Sequence, residues 1–489
     1  MAASEMLPFA KTGGLADVMG ALPRELASLG HRVATLVPFY RVVRQKWGPS
    51  LKPAGEGVAQ VGGTFLPYRI WKSVAVRGVE AYFIDRPEYF DRAELYGEGG
   101  RDFPDNAERF VFFNRAVVDA LERLAFQADI VHSHDWHAAL LPALLEHRRP
   151  KNLAHARTVL TVHNLAFQGV FPAEAFALTG LPEGYFTPET LEFYGGVNFL
   201  KAGLLLADAL STVSRKYAEE IQTLEYGCAL DDILRYRGSR LHGILNGVDL
   251  SEWDPARDPA LPAKYDAKSV ETGKAECKRA LQKELGLPEI ADAPLFGCIS
   301  RLTEQKGFSL FAGAIPELLR ERPLQIVVLG RGEARFEGML RDMSAQWRDR
   351  VRFVMAMDNA LAHRIEAACD YYLMPSQFEP CGLNQMYSLR YGTVPIVRAT
   401  GGLDDTVQSY HPNEQSGNGF KFVPYEASAF AACIRDALGY YRRHDHWPRL
   451  RQNGMAGDFS WSTSAAKYVE MFRLLVPRPL SATTLTPTG

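Results

Sequence analysis

No stretch of this chain approaches the ~20 consecutive apolar residues that a helix needs to cross a bilayer, so a membrane is not among the expected partners. The start shows no basic segment leading into an apolar one, so no secretory leader is expected. Cysteine is scarce: Cys228, Cys277, Cys298, Cys369, Cys381 and Cys433, with no C-x-x-C pair. In a long chain that pattern predicts free thiols in a reducing, cytoplasmic compartment rather than a disulfide frame. An excess of either charge is also missing, since 55 Lys and Arg face 57 Asp and Glu for a net charge of -2. Such a chain offers a polyanion no long-range field, so nucleic acid is not an expected partner. Internal repeats and low-complexity cores are absent as well.

What is present is a soluble globular composition, 47% hydrophobic and 23% charged, spread over 489 residues. That length exceeds one ordinary core and predicts two large domains. The densest chemistry lies at 375–386, PSQFEPCGLNQM, between a short apolar run at 371–374 and a helical run at 387–391. This is a strand-to-helix connection, the place where open parallel sheets bind ligands. Glu379 stands at a strand's carboxyl end. Gly382 permits close backbone approach, and the N–H groups near Gly382 and Leu383 open the next helix as an anion site. A carboxylate for sugar hydroxyls beside N–H groups for phosphate suits a sugar nucleotide. The plain alternative is a capped helix with a solvent-exposed Glu379.

A second glycine-bearing turn lies at 11–18, KTGGLADV. Lys11, Gly13 and Gly14 lead into a helix marked by Val18, Leu22, Leu26 and Leu29, with Pro23 expected to kink it. A glycine turn that opens a helix can cradle phosphate. The start itself, Met1–Ala3, is too short to fill a central sheet position well, so a truncated or stunted first strand is expected. Strands are predicted at 33–38, 79–85, 158–162, 295–300, 325–329, 351–355, 371–374 and 394–397, and a hairpin over 58–76. Pro395 is awkward inside an interior strand. Residues 95–106 read as a loop and 253–276 as an interdomain stretch. The string 129–137, DIVHSHDWH, is a strand running into a polar turn. Its His132, His134 and His137 invite a metal test, but Asp135 sits one place early for an H-x-H-x-D-H motif and further ligands are not evident. Packing at a strand end is the alternative for His132. His163 and Asn164 end another strand, and Arg301 and Lys306 follow a strand of the second half, where paired cations suit a diphosphate.

The string SQFEPCGLNQMYSLRYGTVPIVRATGGLDDTV, with KTGGLADV and SRLTEQKG, resembles the bacterial glycogen synthase and plant starch synthase family over residues 3–476. That resemblance implies an α/β fold with two Rossmann-like domains facing across a deep cleft (GT-B) and a C-terminal helix crossing back to the first domain. The implied organisation is an acceptor-side domain at 1–250, a nucleotide-sugar domain at 251–460, the crossover helix at 461–477 and a disordered tail at 478–489. The implied activity is transfer of glucose from ADP-glucose to the non-reducing end of an α-1,4-glucan with retention, in glycogen biosynthesis. Glu379, His163, Arg301, Lys306 and Lys11 are the implied catalytic set. Donor binding would add Gly13, Gly14, Asn246, Gly330, Met357, Cys381, Gly382 and Leu383. Asp17, Tyr96 and Asp135 would lie on the acceptor side. A cation set this dense makes a metal or other cofactor unnecessary. Retention without an evident carboxylate nucleophile fits front-face attack, in which the leaving phosphate takes the acceptor's proton.

Two positions depart from the family. Met357 stands where a Tyr usually stacks on the base, and Tyr387 stands where many other retaining transferases carry a second Glu. The rival readings are the same chemistry with UDP-glucose or another acceptor, and a non-catalytic glucan- or nucleotide-binding protein. Oligomeric state is not legible in the sequence.

Overall fold

The computed structural model describes residues 1–476. The expected tail at 478–489, and the last residue of the expected helix at 461–477, lie outside them. The chain divides into two compact units. The first holds residues 1–213, 218–244 and the chain from 461; the second holds 214–217 and 245–460. The expected boundary at 250 therefore moves to 244/245. The reason is local: Val248 N–H donates to Phe459 O at 2.7 Å, which ties the connecting strand to the end of the second unit.

In the first unit, helix α1 (Gly14–Ser28) buries Leu15, Val18, Met19, Leu22 and Leu26 and carries Pro23 inside it. Strand β1 (Val33–Pro38) is buried at every position, as a parallel strand covered on both faces must be. The ten-residue strands β2 (Lys52–Val61) and β3 (Thr64–Ser73) form a hairpin, and β3 runs on antiparallel to β4 (Val79–Asp85), which lies parallel to β1. Strands β5 (Ile130–His134), β6 (Arg157–Val162), β7 (Ala209–Thr212) and β8 (Leu241–Gly243) form a second parallel set. Helix α2 (Trp461–Leu475) packs against α1, and its Tyr468 and Phe472 rings each lie 5.7 Å from His132.

Residues 1–3 join the two sets through single bridges, a first strand as short as expected. Ala2 bridges both Leu36 and Ser133 in parallel. Ala2 N–H donates to His132 O at 2.8 Å and His134 N–H to Ala2 O at 3.0 Å on one side. On the other, Leu36 N–H donates to Met1 O at 2.9 Å and Ala3 N–H to Leu36 O at 3.3 Å. Their N–H and C=O groups alternate toward the two neighbours, and the small Ala2 and Ala3 are fully buried there. The sheet order becomes β2-β3-β4-β1-(1–3)-β5-β6-β7-β8, with the reversal of strand order at residues 1–3.

The second unit is a six-stranded parallel sheet. Its strands are β9 (Leu295–Ile299), β10 (Gln325–Leu329), β11 (Val351–Val354), β12 (Tyr371–Met374), β13 (Val394–Arg398) and β14 (Phe420–Phe422). They lie in the order β11-β10-β9-β12-β13-β14, the doubly wound order whose switch point falls between β9 and β12. Phe296, Phe311, Val328, Tyr371 and Ile396 are among its core residues. Pro395 is tolerated because of register. Val394 N–H donates toward β12, to Asp370 O, at 2.9 Å. Successive N–H groups alternate sides, so Pro395 faces β14, whose pairing starts one residue later at Ile396–Phe420.

The stretch 253–276 is not a loose connection. Trp253 is stacked between His363 and Tyr387, each ring 3.8 Å away at 13° and 5°. Asp258 accepts from Tyr391 Oη at 2.6 Å and lies 2.7 Å from His363 Nδ1. Asp254, Asp258 and Lys274 are buried with partners, while Lys264, Asp266 and Lys268 face solvent. All six cysteines are free thiols.

The Met1 amino group donates to Ala34 O at 2.7 Å, and burial lowers its pKa to about 5. A cavity lined by Met1, Leu36, Val117, Phe126 and Val131 adjoins it. Four apolar β-formers placed ahead of Met1 should extend this strand, each buried side chain contributing about 1.5–3 kcal/mol, and raise the melting temperature. An unchanged value would show that they do not enter the sheet. With the chain starting at a free Met1 amino group, the unfolded amino group holds more protons than the folded one between pH 5 and pH 8. Its contribution to stability therefore rises with pH across that window. The extended variant should lose that contribution, as urea titrations at the two ends of the window would reveal.

Candidate active site

Each sheet reverses its strand order once, and the chemistry-bearing residues gather at those two places. In the first unit, Ser4 and Glu5 leave the strand at residues 1–3 and the chain turns through 11–13 into α1. Glu5 is buried, and its carboxylate closes that turn. It accepts Thr12 N–H at 2.5 Å, Gly13 N–H at 3.1 Å, the Thr12 hydroxyl at 2.5 Å and the Tyr96 hydroxyl at 2.7 Å. The glycine turn is therefore not the open phosphate cradle expected of it. A carboxylate of the chain already takes two of its N–H groups. The N–H groups of Gly14 and Leu15, at the start of α1, have no protein acceptor among the described residues.

Lys11 is half exposed and pairs with Asp17 at 2.7 Å, so these two site residues are neighbours. Tyr96 also bonds Ser4 Oγ at 2.7 Å, and its ring lies 4.6 Å from that of His137. The Tyr96 hydroxyl is thus committed to the turn beneath Lys11. Asp135 follows β5 with φ 55° and ψ -179°, a region that costs a non-glycine residue about 1–3 kcal/mol. Its carboxylate accepts His163 N–H at 2.7 Å. Burial raises its pKa to about 7, against the stabilising N–H groups of His163 and Asn164. His163 Nε2 lies 3.0 Å from His134 Nδ1, and burial lowers the His163 pKa to about 3. His132 Nε2 meets Thr161 Oγ1 at 2.6 Å, and His137 stacks on Trp136 with ring centroids 4.0 Å apart. The three histidines of 129–137 thus point to different partners. Among the described residues no group of three or more His, Cys, Asp or Glu is arranged to hold a metal ion.

In the second unit the switch point between β9 and β12 carries Arg301, Lys306 and Glu379. Glu379 is buried rather than solvent-exposed. It forms a short ion pair with Lys306 and accepts the Ser376 hydroxyl at 3.2 Å. The Arg301 side chain is exposed and has no partner among the described residues. Gly382 has φ +69°, the left-handed value that an L side chain resists, and Leu383 caps the helix Asn384–Arg390. The N–H groups of Gly382 and Leu383 have no protein acceptor among the described residues. Cys381 is buried, which pushes its thiol up to about 12, and Asn246 bonds to it. The Asn246 side-chain oxygen is buried with no partner among the described residues. Gly330 has a packing reason as well: a Cβ there would lie 1.9 Å from Ser300 O. Met357 sits after β11 and is 81% exposed, so nothing in its own unit covers it. Tyr387 has a structural post against Trp253.

A model of the starch synthase catalytic domain matches residues 1–236, and one of glycosyl transferases group 1 matches residues 282–449. Glycogen synthase of Koribacter versatilis is 48% identical over 477 residues, 96% of each chain. This chain belongs to the glycogen and starch synthase family. The family's Anaeromyxobacter dehalogenans glycogen synthase is likewise 48% identical, over 97% of this chain and 99% of its own. Among solved structures, the catalytic domain of starch synthase IV from Arabidopsis thaliana, bound to ADP and acarbose, superposes with a TM-score of 0.88. It is 35% identical and covers 98% of this chain and 99% of its own. Sucrose-phosphate synthase from Thermosynechococcus elongatus, at 16% identity and a TM-score of 0.58, shares the fold alone. The fold is that of the GT-B glycosyltransferases.

Two residues of this family member escaped sequence reading, Glu5 and His134. For Glu5 the available signal is the glycine turn seven residues on, whose N–H groups need an acceptor. His134 was weighed only as a metal ligand. Glu5→Gln leaves one acceptor oxygen and turns an NH2 on the donors of the turn. Bonds to charged groups contribute about 1.5–3 kcal/mol, so stability should fall on that scale and amide exchange at Thr12 and Gly13 should accelerate. Unaltered exchange would show that the turn holds without its carboxylate.

Proposed function

We propose that this chain transfers glucose from ADP-glucose to the non-reducing end of an α-1,4-glucan with retention, as a glycogen synthase does. The observation that carries this reading is the pairing of half-buried Lys306 with buried Glu379 at a switch point, with Arg301 nearby in sequence and without a side-chain partner among the described residues. A departing diphosphate gains negative charge. Fixed cations and N–H groups stabilise that charge more in the transition state than before it. Arg301, Lys306 and the N–H groups of Gly382 and Leu383 supply them from the second unit. Lys11 and the N–H groups of Gly14 and Leu15 supply them from the first. Glu379, held by Lys306 and Ser376, would keep its free oxygen for sugar hydroxyls. His163 stays neutral at working pH because burial holds its pKa near about 3, so it would meet the sugar as a hydrogen-bonding partner and not as a cation. Asp17, Tyr96 and Asp135 would border the acceptor. The six free thiols suit a reducing, cytoplasmic setting. In this reading the fixed cations do the work a metal would, and no cofactor is required.

The test is glucose transfer to glycogen with ADP-glucose and UDP-glucose in parallel. Binding of glycogen without transfer from either donor would favour a non-catalytic module instead. Lys306→Ala should lower turnover by a factor of about 100 or more, the scale of one lost preorganised stabiliser. It should also destabilise the fold by about 3–5 kcal/mol, because Glu379 is left buried and unpaired. Turnover near normal at saturating donor would remove Lys306 from the mechanism.

Met357 is proposed to face the base in place of a stacking Tyr. Stacking contributes about 0.5–1.5 kcal/mol beyond burial, and a thioether against a ring about 0.3–1.5 kcal/mol. The exposed, flexible Met has more rotamers to lose. Met357→Tyr should therefore tighten ADP by at most about tenfold and leave saturated turnover nearly unchanged. Calorimetric titration with ADP and UDP decides; equal ADP affinity in both proteins would place Met357 away from the base.

A further inference from the structure

His134 is buried at the end of β5, its ring 4.1 Å from His132 on one side and 5.3 Å from His163 on the other. One proton is shared along the 3.0 Å line between His134 Nδ1 and His163 Nε2. Two neutral arrangements are open. If His134 Nδ1 holds that proton, His134 Nε2 is a bare lone pair and the His163 proton sits on Nδ1. If His163 Nε2 holds it, the His134 proton is forced onto Nε2. That atom is buried with no partner among the described residues. An orphaned buried N–H is rarer in folded proteins than an under-satisfied acceptor, and leaving it unmade costs its full desolvation. The first arrangement is therefore favoured. Both rings stay neutral, since burial holds each well below the usual imidazole range.

We infer that His134 is a positioning residue that fixes the tautomer of His163, so that His163 presents Nδ1–H as a hydrogen-bond donor and not as a base. Asp135 holds the same residue through its backbone N–H, so ring orientation and proton position are set by two successive residues of one turn. The chemical consequence is specific: His163 can donate to an oxygen of the transferred sugar or its phosphate and cannot accept a proton from the acceptor hydroxyl. That leaves proton acceptance to the departing phosphate. The inference rests on the reading of His163 as a sugar-side group.

The tautomer is tested without turnover. Long-range 15N correlation spectra of the full chain labelled at histidine should show His163 protonated at Nδ1 and bare at Nε2. A bare Nδ1, or a cationic ring at neutral pH, overturns the inference. Kinetics supply the second arm. Asn places a polar atom where His134 has Nδ1, so His134→Asn should keep turnover within about threefold, whereas His134→Phe should lose roughly 10- to 100-fold, on the lower side of the scale for a displaced hydrogen-bonding group. In a His163→Ala background, His134→Phe should cost nothing further. An equal loss in both backgrounds shows a packing role only and overturns the inference. Wild-type protein that transfers no glucose would instead remove the functional reading beneath it, while the spectra would still report the tautomer.

Discussion

Four backbone hydrogen bonds around residues 1–3 hold the first unit's chemistry in register. They join two half-sheets that otherwise share no strand. Because the order of strands reverses there, the crossovers on either side diverge and the carboxyl ends of residues 1–3 and β5 are left uncovered by helix. Glu5 emerges from one of those ends and Asp135 from the other. Both spend a carboxylate on backbone N–H groups, Glu5 on Thr12 and Gly13, Asp135 on His163. Their work is to hold two loops in shapes those loops would not keep alone.

The second unit reaches the same architecture by a plainer route, with six parallel strands and a complete doubly wound order. Its switch point carries charge instead of neutral rings. A buried pair such as Lys306–Glu379 is a poor source of stability, since desolvation offsets most of its attraction. Ion pairs that serve packing alone are found elsewhere in the unit, as where Asp370 meets Lys278 at 2.7 Å and Arg451 at 2.9 Å. Lys306 differs in having a partner that is itself at a strand's carboxyl end, beside N–H groups with no protein acceptor. That placement is what separates a structural ion pair from a candidate catalytic one.

Much of this was legible in the sequence. The strands at 325–329 and 371–374 end where the apolar runs end, because a parallel strand buried on both faces is written as an unbroken apolar run. Glu379, Lys306 and Gly382 were legible because strand-end position and residue type coincide in them. The shortness of the strand at residues 1–3 was legible, but its pairing to both half-sheets was not, because backbone pairing leaves no mark in side-chain pattern. The 253–276 stretch was misjudged because polar residues with buried partners look the same in sequence as polar residues in water. Glu5 was overlooked for a related reason. Its partners are two main-chain N–H groups and a tyrosine ninety-one residues away, and sequence displays neither a turn's closure nor a contact at that range.

The two switch points also divide the chemistry in a way that follows from burial. In the first unit the histidines near Asp135 are sunk deep enough to be neutral, so that site offers hydrogen bonds but little charge beyond the exposed Lys11. In the second unit Lys306 pairs with a carboxylate and the Arg301 side chain is exposed. A glycosyl transfer develops negative charge on the phosphate and positive charge on the sugar. A cationic imidazole beside the sugar would oppose the second as surely as fixed cations assist the first. In the proposed reading the lowered pKa of His163, about 3, would remove that opposition. On that proposal, the neutrality of the first site and the charge of the second would answer the two halves of one electrostatic demand.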